Sequence, residues 1–287
     1  MKSLTEAKHP LCSGVGLQKL LFGNTTPLFS CEWAAAHFRF RQPHSDLAYA
    51  LQAGKGGTRA VLMAVQAHII TYLLFTRDTE YTHLDRLCQI GRREQGQALA
   101  VALAETLWAA GGGGRAVVCL TTTAGTAMPR AGCRADALTD RIRLFEFPEK
   151  AAAQEFISHH INCAVLSLLL TGRASPRELG GGAGEVRGQR GPVGFLRWER
   201  AAERQVSPAL RTPRLPVWLC GVPGRHGVLF GTDPRLLSHW RAERLFHLYF
   251  YSGQQEQTRT AHLTIVLNRK FKHTMKQDCF MINSKFK

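Results

Sequence analysis

A turn of paired glycines set directly against an amphipathic helix is the feature that most constrains the fold of this chain. From Arg59 to Phe75, apolar residues recur at steps of three and four, which is the spacing of a helix with one buried stripe. Gly56 and Gly57 precede the helix, and glycine permits a tight turn with close backbone approach. Because the first amides of a helix are unpaired and carry partial positive charge, such a junction is suited to hold an anion or a nucleophile. The residues placed there are Thr58 and Arg59.

The remaining patterns predict a mixture of helices and strands. Apolar spacing predicts helices over 91–109 and 151–170, and four glycines end the first of them. The β-branched run that begins at 115 predicts a strand. Residues 214–233 predict two buried strands joined by a turn at Pro223-Gly224.

The charge balance bounds the class of partner without selecting one. The 287 residues include 37 lysines and arginines against 21 aspartates and glutamates, a formal charge of +16. Nucleic acid, an acidic protein and anionic lipid would all suit a chain this basic. The arginines are spread along the sequence without a zinc finger, an RNA-recognition signature or a basic coiled coil, so nucleic-acid binding is not favoured. No uninterrupted apolar run approaches the length of about 18 residues that a membrane span needs, and we expect no membrane partner.

The cysteine pattern predicts free thiols in a reducing compartment. The eight cysteines lie 14 to 59 residues apart and include no Cys-x-x-Cys pair of the kind used for zinc or redox chemistry. The N-terminus lacks the continuous apolar segment of a secretory signal. We therefore expect a soluble protein of the cytoplasm, or of the nucleus, with no metal and no cofactor.

Several blocks of sequence together resemble one protein family. "FSCEWAAAHFRF" at 29–40 is similar to an opening Phe-x-x-Glu-Trp block. "KGGTRAVLMAVQ" at 55–66 is similar to a nucleophile motif that reads Lys-Gly-Gly-Pro-Cys-Gly before a helix ending Ala-Val-Gln. "LLLTGRA" at 168–174 and the stretches 212–230 and 239–265 match further blocks. The chain resembles the MINDY family of deubiquitinases, in the branch of its third and fourth members, and within it a catalytically inactive paralogue of the fourth member.

The resemblance implies a fold, an activity and a partner. The family domain would occupy residues 20–266, between an N-terminal extension at 1–19 and a basic tail at 267–287 that matches nothing in the family, with a mobile glycine-rich loop at 178–194. It implies an α+β, papain-like cysteine-protease fold, in which helices surround a central, mainly antiparallel sheet. The implied activity is cysteine-type cleavage of isopeptide-linked ubiquitin, with ubiquitin or polyubiquitin as the partner. Near 161–166 the chain is shorter than its relatives.

The site residues implied by the resemblance depart from the family pattern. Arg59 stands at the position of the nucleophilic cysteine, Thr58 at that of a proline, and Ala53 at that of a glutamine that stabilises the oxyanion. Gln52 is one step away, so on an extended segment its side chain points to the other face. His226 matches the general base. A guanidinium stays protonated and offers no nucleophile, so the cysteine chemistry cannot run through Arg59.

Two interpretations of several positions stay open. Arg59 either contacts the carboxylate of ubiquitin's C-terminal tail or is simply solvated after catalysis was lost. His226, which precedes Gly227 where the family has an aromatic residue, either keeps a role or only fills a strand end. Thr58 and Cys220 are alternative nucleophiles with His226 as the base, against the simpler interpretation of Cys220 as a buried structural thiol.

Three hypotheses of function follow from these observations. The first is an inactive ubiquitin carboxyl-terminal hydrolase of the MINDY type that serves as a binding or scaffolding protein in the ubiquitin pathway. The second is an active deubiquitinase with a relocated nucleophile. The third is a basic nucleic-acid-binding protein, whose affinity would fall steeply with salt.

Overall fold

The protein has a mixed α+β architecture, as predicted. The computed structural model describes residues 37–54, 58–77, 83–121, 142–160, 190–197, 206, 208–222, 225–239, 242 and 244–266. The helices are α1 (Thr58–Thr71), α2 (Leu84–Cys88), α3 (Arg92–Ala110), α4 (Lys150–His159) and α5 (Pro208–Arg211). The strands are β1 (Ala116–Thr121), β2 (Ile142–Phe147), β3 (Gly194–Arg197), β4 (Val217–Val222), β5 (Arg225–Phe230), β6 (Leu245–Tyr251) and β7 (Ala261–Val266).

Some predictions fall on residues outside those ranges. They concern 1–19, Gly56-Gly57, Pro223-Gly224 and 267–287. The loop predicted at 178–194 is described only from Arg190, and its last residue, Gly194, begins β3 rather than ending a loop.

The core of the protein is built around α1. Its predicted apolar stripe is confirmed, because Leu62, Val65 and Ile69 are all buried. A π-helical turn, Tyr72–Thr76, continues the helix to its end. By length and composition the segment Thr58–Thr76 could cross a membrane, but 61% of its most apolar window is buried inside the protein. That is the environment of the core helix of a folded domain.

The helix predicted at 91–109 is confirmed as α3, which packs against α1. At its start the Glu94 carboxylate accepts a hydrogen bond from the Gly91 N–H at 2.8 Å. At its end the chain enters the run of four glycines, where Gly112 and Gly113 adopt φ angles of 73° and 75°. Glycine takes such angles without the steric cost that a Cβ imposes, so this run ends the helix as the sequence predicts.

A small sheet of two strands lies beside α4. β1 pairs with β2 in antiparallel fashion, and the rings of Phe145 and Phe147 lie 4.8 and 5.0 Å from the ring of Phe156 in α4. The strand predicted from 115 is confirmed as β1. The helix predicted over 151–170 is confirmed as far as His159, and its second half lies outside the described residues.

The larger sheet has five strands in the order β3-β4-β5-β6-β7. β3 runs parallel to β4 and the other neighbours are antiparallel, so the predicted mainly antiparallel central sheet is confirmed. Side chains alternate between two faces along each strand. One face, with Val217 and Val228, packs into the main core beneath α1. The other face, with Trp218 and Leu229, forms a separate small cluster that includes Leu236.

Candidate functional site

The segment that leads to the start of α1 is held in place by buried side chains. Gln66 of α1 is fully buried; its Oε1 accepts from the Leu51 N–H at 2.6 Å, and its Nε2 donates to the Tyr49 carbonyl at 3.0 Å. The Tyr251 hydroxyl of β6 donates to the Leu51 carbonyl at 2.7 Å. Because these bonds satisfy buried backbone groups, they fix the segment against both α1 and the sheet.

A second buried amide fastens the same segment to α3. The Nε2 of Gln95 donates to the carbonyls of Ala48 and Arg41 at 2.7 and 3.1 Å. The Arg41 guanidinium in turn donates to the Gln254 carbonyl at 2.6 Å. Sequence reasoning missed Gln95, and it noted Gln66 only as the end of a family block. The available signal was a polar residue inside an apolar helix face, which needs a buried partner.

Arg59 lies in the first turn of α1, at the end of this fastened segment. Its Nε donates to the Gly54 carbonyl at 3.1 Å, and its side chain is partly exposed. Within the described parts of the chain, no aspartate or glutamate forms an ion pair with Arg59. Its permanent positive charge therefore adds to the partial positive charge of the helix N-terminus instead of neutralising it.

His226 is the second residue of β5 and faces α1. By the alternation of the strand it shares a sheet face with Val228 and Phe230, which pack into the main core. Its pKa is lowered, first by burial and then by the positive charge of Arg59. α1 packs against β5, the strand that carries His226, and the charge of Arg59 is close enough to influence the imidazole.

The chemistry of Arg59 and His226 differs in what each side chain can do. A neutral imidazole can accept a proton, but a guanidinium has no proton to lose at neutral pH and no lone pair for attack on a carbonyl. Guanidinium and imidazole N–H groups can both donate to carboxylate oxygens. The first amides of α1 add a further positive potential at the same place.

Ala53 supplies no side-chain donor to this site. It is buried, and its N–H donates to the Gly253 carbonyl at 3.2 Å. A Cβ built on Gly253 would lie 3.0 Å from the Ala53 methyl and 2.8 Å from Met63 Cε, so the space around Ala53 is filled. The Gln52 amide donates to the Phe40 carbonyl at 3.3 Å and so points elsewhere, as the alternation predicts. Neither residue stands in for an oxyanion donor.

Cys220 lies on the opposite face of the sheet from His226. It pairs with Gly227 in the ladder and packs with Trp218 and Leu229 in the small cluster. Burial raises the pKa of its thiol to about 12, so the thiol is protonated at neutral pH. This placement argues against the hypothesis that Cys220 uses His226 as a base. Strand alternation separates two residues that are only six positions apart.

Thr58 begins α1 but is poorly placed as a nucleophile. Only 3% of it is exposed, and no hydrogen bond joins it to His226, although the structure describes both residues. A threonine hydroxyl needs a base at close range before it can attack a carbonyl. The observed arrangement lacks that contact.

The structure explains why a glycine, Gly227, follows His226. A Cβ at Gly227 would lie 2.5 Å from Phe250 Cζ and 2.8 Å from the Tyr251 carbonyl oxygen. The Phe250 ring of β6 therefore occupies the space that an aromatic residue at 227 would need.

Two histidines lead us to expect that acid weakens the fold. Burial lowers the pKa of His68 in α1, although the charge of Glu105 opposes the shift, and the pKa of His226 is lowered as well. Both side chains bind a proton more readily in the unfolded chain, where the ordinary pKa is 6.5. The free energy of unfolding is therefore highest above this value and falls as the pH drops through 6.5 towards the lower folded-state values.

We expect urea unfolding to show a lower midpoint at about pH 5.5 than at about pH 7.5. The His68→Gln variant should show a smaller difference, because it removes one of the two groups. His159→Gln, an exposed change on α4, is the matched control and should leave the difference intact. Equal midpoints at both pH values would contradict the assignment.

A separate groove lies between α3 and α4. Arg92, Arg93 and Gln154 line it, and it includes neither Arg59 nor His226. In the described portion of the chain, no three histidine, cysteine, aspartate or glutamate side chains form a group that could hold a metal ion.

Comparison with known families gives two matched segments. The family model described as "Deubiquitinating enzyme MINDY-3/4, conserved domain" matches residues 18–165 and 157–284. The segments meet near 161–166, where the sequence analysis expects the chain to be shorter than its relatives. The second segment ends at 284 and so includes most of the tail at 267–287, which the sequence analysis placed outside the family.

Comparison with curated proteins finds relatives named "Probable ubiquitin carboxyl-terminal hydrolase MINDY-4". The mouse protein (Mus musculus) is 30% identical over 305 residues, covering 87% of this chain and 41% of the relative. The human protein (Homo sapiens) is 30% identical over 320 residues, covering 91% and 42%. The Xenopus tropicalis protein is 28% identical over 321 residues, covering 92% and 42%.

These alignments are longer than the chain itself, so the relatives contain residues that have no counterpart here. The chain spans about two fifths of the length of the curated relatives it matches. No solved structure matches it.

Proposed function

The chain belongs to the MINDY-3/4 family of deubiquitinating enzymes, and from that premise we propose that it is a catalytically silent member that binds ubiquitin without cleaving it. The observation that supports the proposal is the arginine in the first turn of α1: in this interpretation Arg59 replaces the family's nucleophile, and its charge reaches His226 of the neighbouring strand β5. Such a site keeps the base and the helix N-terminus, but Arg59 itself cannot attack a carbonyl.

The proposal includes the papain-like catalytic fold of the family. In this interpretation α1 is the former nucleophile helix, and β5 is the strand that presents the base. The packing of α1 on β4 and β5 supports it, as does the position of His226 on the face towards α1. The buried amides of Gln66 and Gln95 keep the approach to α1 in place whether or not catalysis occurs.

Ubiquitin and its chains are the proposed partners. The names of the relatives refer to the carboxyl terminus of ubiquitin, and the family model is that of a deubiquitinating enzyme. A site with a permanent cation and a helix N-terminus suits a ligand whose end carries a carboxylate. A scaffolding role in the ubiquitin pathway would use this binding without chemistry.

The second candidate is an active hydrolase that uses Thr58, because His226 keeps the position of the base. Its weakness is the burial of Thr58 and the absence of a hydrogen bond between these two described residues. An active enzyme with Thr58 as its nucleophile would have to expose this hydroxyl when substrate binds.

An electrophilic ubiquitin probe and a chain-cleavage assay separate the two candidates. We expect no covalent adduct between the wild-type protein and ubiquitin that carries an electrophile at its C-terminus, and no cleavage of isopeptide-linked diubiquitin. Thr58→Ala and Cys220→Ala variants serve as controls. Covalent capture or cleavage by the wild type that disappears in either variant would overturn the silent assignment and identify the nucleophile.

A further inference from the structure

Two histidines meet on the exposed surface of the five-stranded sheet, away from the candidate site. The Nε2 of His262 in β7 lies 3.0 Å from the Nδ1 of His247 in β6, and both side chains are exposed. In the ladder Tyr249 pairs with Phe230, the last residue of β5, whereas His226 is near the start of that strand. The histidine pair therefore lies towards the opposite end of the sheet from His226, and the proposed function gives it no role.

Neighbouring side chains hold both imidazole rings in place. His262 is directly opposite Tyr249 in the ladder, and their rings stack with centroids 4.9 Å apart and planes at 13°. His247 is directly opposite Thr264, whose hydroxyl lies 3.2 Å from the same Nδ1. Six consecutive residue pairs fix the register of β6 and β7. The two rings therefore meet because the strands pair, and not because a loop happens to bring them close.

The distance between the two nitrogens is compatible with a shared metal ion. Zinc binds an imidazole nitrogen at about 2.0–2.1 Å. Two such bonds, at angles between square-planar and tetrahedral, place the nitrogens about 2.9–3.4 Å apart. The observed separation of 3.0 Å falls within this range. Imidazole is also a ligand that suits zinc, copper and nickel.

Metal binding needs only a change of tautomer in one of the rings. A neutral imidazole has one nitrogen with a proton and one with a lone pair, and a hydrogen bond joins the two facing nitrogens. When the donor ring moves this proton through water to its other nitrogen, both facing nitrogens carry lone pairs. The N–H···N hydrogen bond is then lost, two metal–nitrogen bonds form, and no net proton is released.

We propose that His247 and His262 form a binding site for a late first-row divalent metal ion, which links the edge strand β7 to β6. No third histidine, cysteine, aspartate or glutamate joins the pair in the part of the chain that the structure describes. Water would complete the coordination, so the site is open, unlike a structural zinc site closed by four protein ligands. β7 ends the described strand order beside β6, and the metal would hold this edge of the sheet in place.

The test is calorimetric titration of zinc into the full chain, in a buffer that does not bind zinc. We expect His247→Gln and His262→Gln each to weaken one zinc-binding step by at least about tenfold. His159→Gln, a change of an exposed histidine on α4, is the matched control and should leave that step intact. Magnesium, which prefers oxygen ligands, should give no such step. In nitrogen NMR spectra of the wild type, zinc should shift the rings of His247 and His262.

The variants should keep the fold, because both side chains are exposed. Without metal, circular dichroism should give the wild type and both variants the same unfolding temperature. Zinc should raise this temperature in the wild type more than in either variant. Equal zinc binding by the wild type and both variants would overturn the site, as would zinc that leaves both rings unshifted. Equal weakening in His159→Gln would show that zinc collects on exposed histidines in general, and would overturn it too.

Discussion

Replacing Arg59 with cysteine is expected to turn a protein that does not react with a C-terminal ubiquitin electrophile into one that is captured by it. The new thiol would lie in the first turn of α1, where the helix N-terminus stabilises a thiolate. α1 packs against β5, so we expect His226 to take the proton of this thiol, and its imidazole would no longer be influenced by the charge of Arg59. The measurement is the appearance of a covalent adduct on a denaturing gel and by mass spectrometry.

Two control variants show which side chains are needed for covalent capture. Arg59→Ser offers a weaker nucleophile and should give no adduct, and Arg59→Cys combined with His226→Ala should react much more slowly. Turnover of diubiquitin should stay low, because Ala53 cannot replace an oxyanion donor, and loss of one such donor costs roughly 10²–10³ in kcat. The contradictory result is a thiol at residue 59 that reacts with iodoacetamide but not with the ubiquitin probe. In that case ubiquitin's tail does not reach the start of α1.

Replacing Gln66 with leucine is expected to destabilise the fold by about 2–6 kcal/mol. Leucine has a similar volume, so the core keeps its packing. The Leu51 N–H and the Tyr49 carbonyl lose their partners, and each buried unsatisfied group costs about 1–3 kcal/mol. The measurement is the free energy of unfolding in urea, with an unchanged slope showing that the same surface is exposed.

Gln52→Leu is the matched control for that prediction. Its side chain is only half-buried and makes one longer hydrogen bond, 3.3 Å, to the Phe40 carbonyl. We expect it to change the free energy of unfolding by less than about 1 kcal/mol. Equal effects of the two substitutions would show that Gln66 does not hold the approach to α1.

Local pattern was enough to predict α1, α3, α4, β1, β4 and β5, but not β3, which begins at the last residue of a predicted loop. The three- and four-residue spacing of α1 and α3 follows from one buried face, and the glycines after α3 end it because they adopt positive φ. The two strands around Pro223-Gly224 follow from their apolar, β-branched composition. These features depend on residues close together in the chain, so they can be read without knowing the tertiary structure.

The candidate site could be predicted only in part. The pairing of Arg59 with His226, 167 positions apart in the chain, came from a resemblance and not from spacing. The sequence could not predict on which face of the sheet Cys220 lies, because either face is possible when the register of the strand is unknown. Gln66 and Gln95 form hydrogen bonds with backbone groups. Every residue carries such groups, so the sequence could not predict which ones would be the partners.

Titration of labelled ubiquitin and polyubiquitin chains into the purified protein tests the central claim most directly. Arg59→Ala and His226→Ala variants are measured alongside, with circular dichroism to confirm that each is folded. The account predicts saturable binding by the wild type, weakened about tenfold by Arg59→Ala and less by His226→Ala. Absence of binding by the folded wild type, or binding that Arg59→Ala leaves unchanged, would contradict the claim that this cleft is a receptor for the carboxyl terminus of ubiquitin.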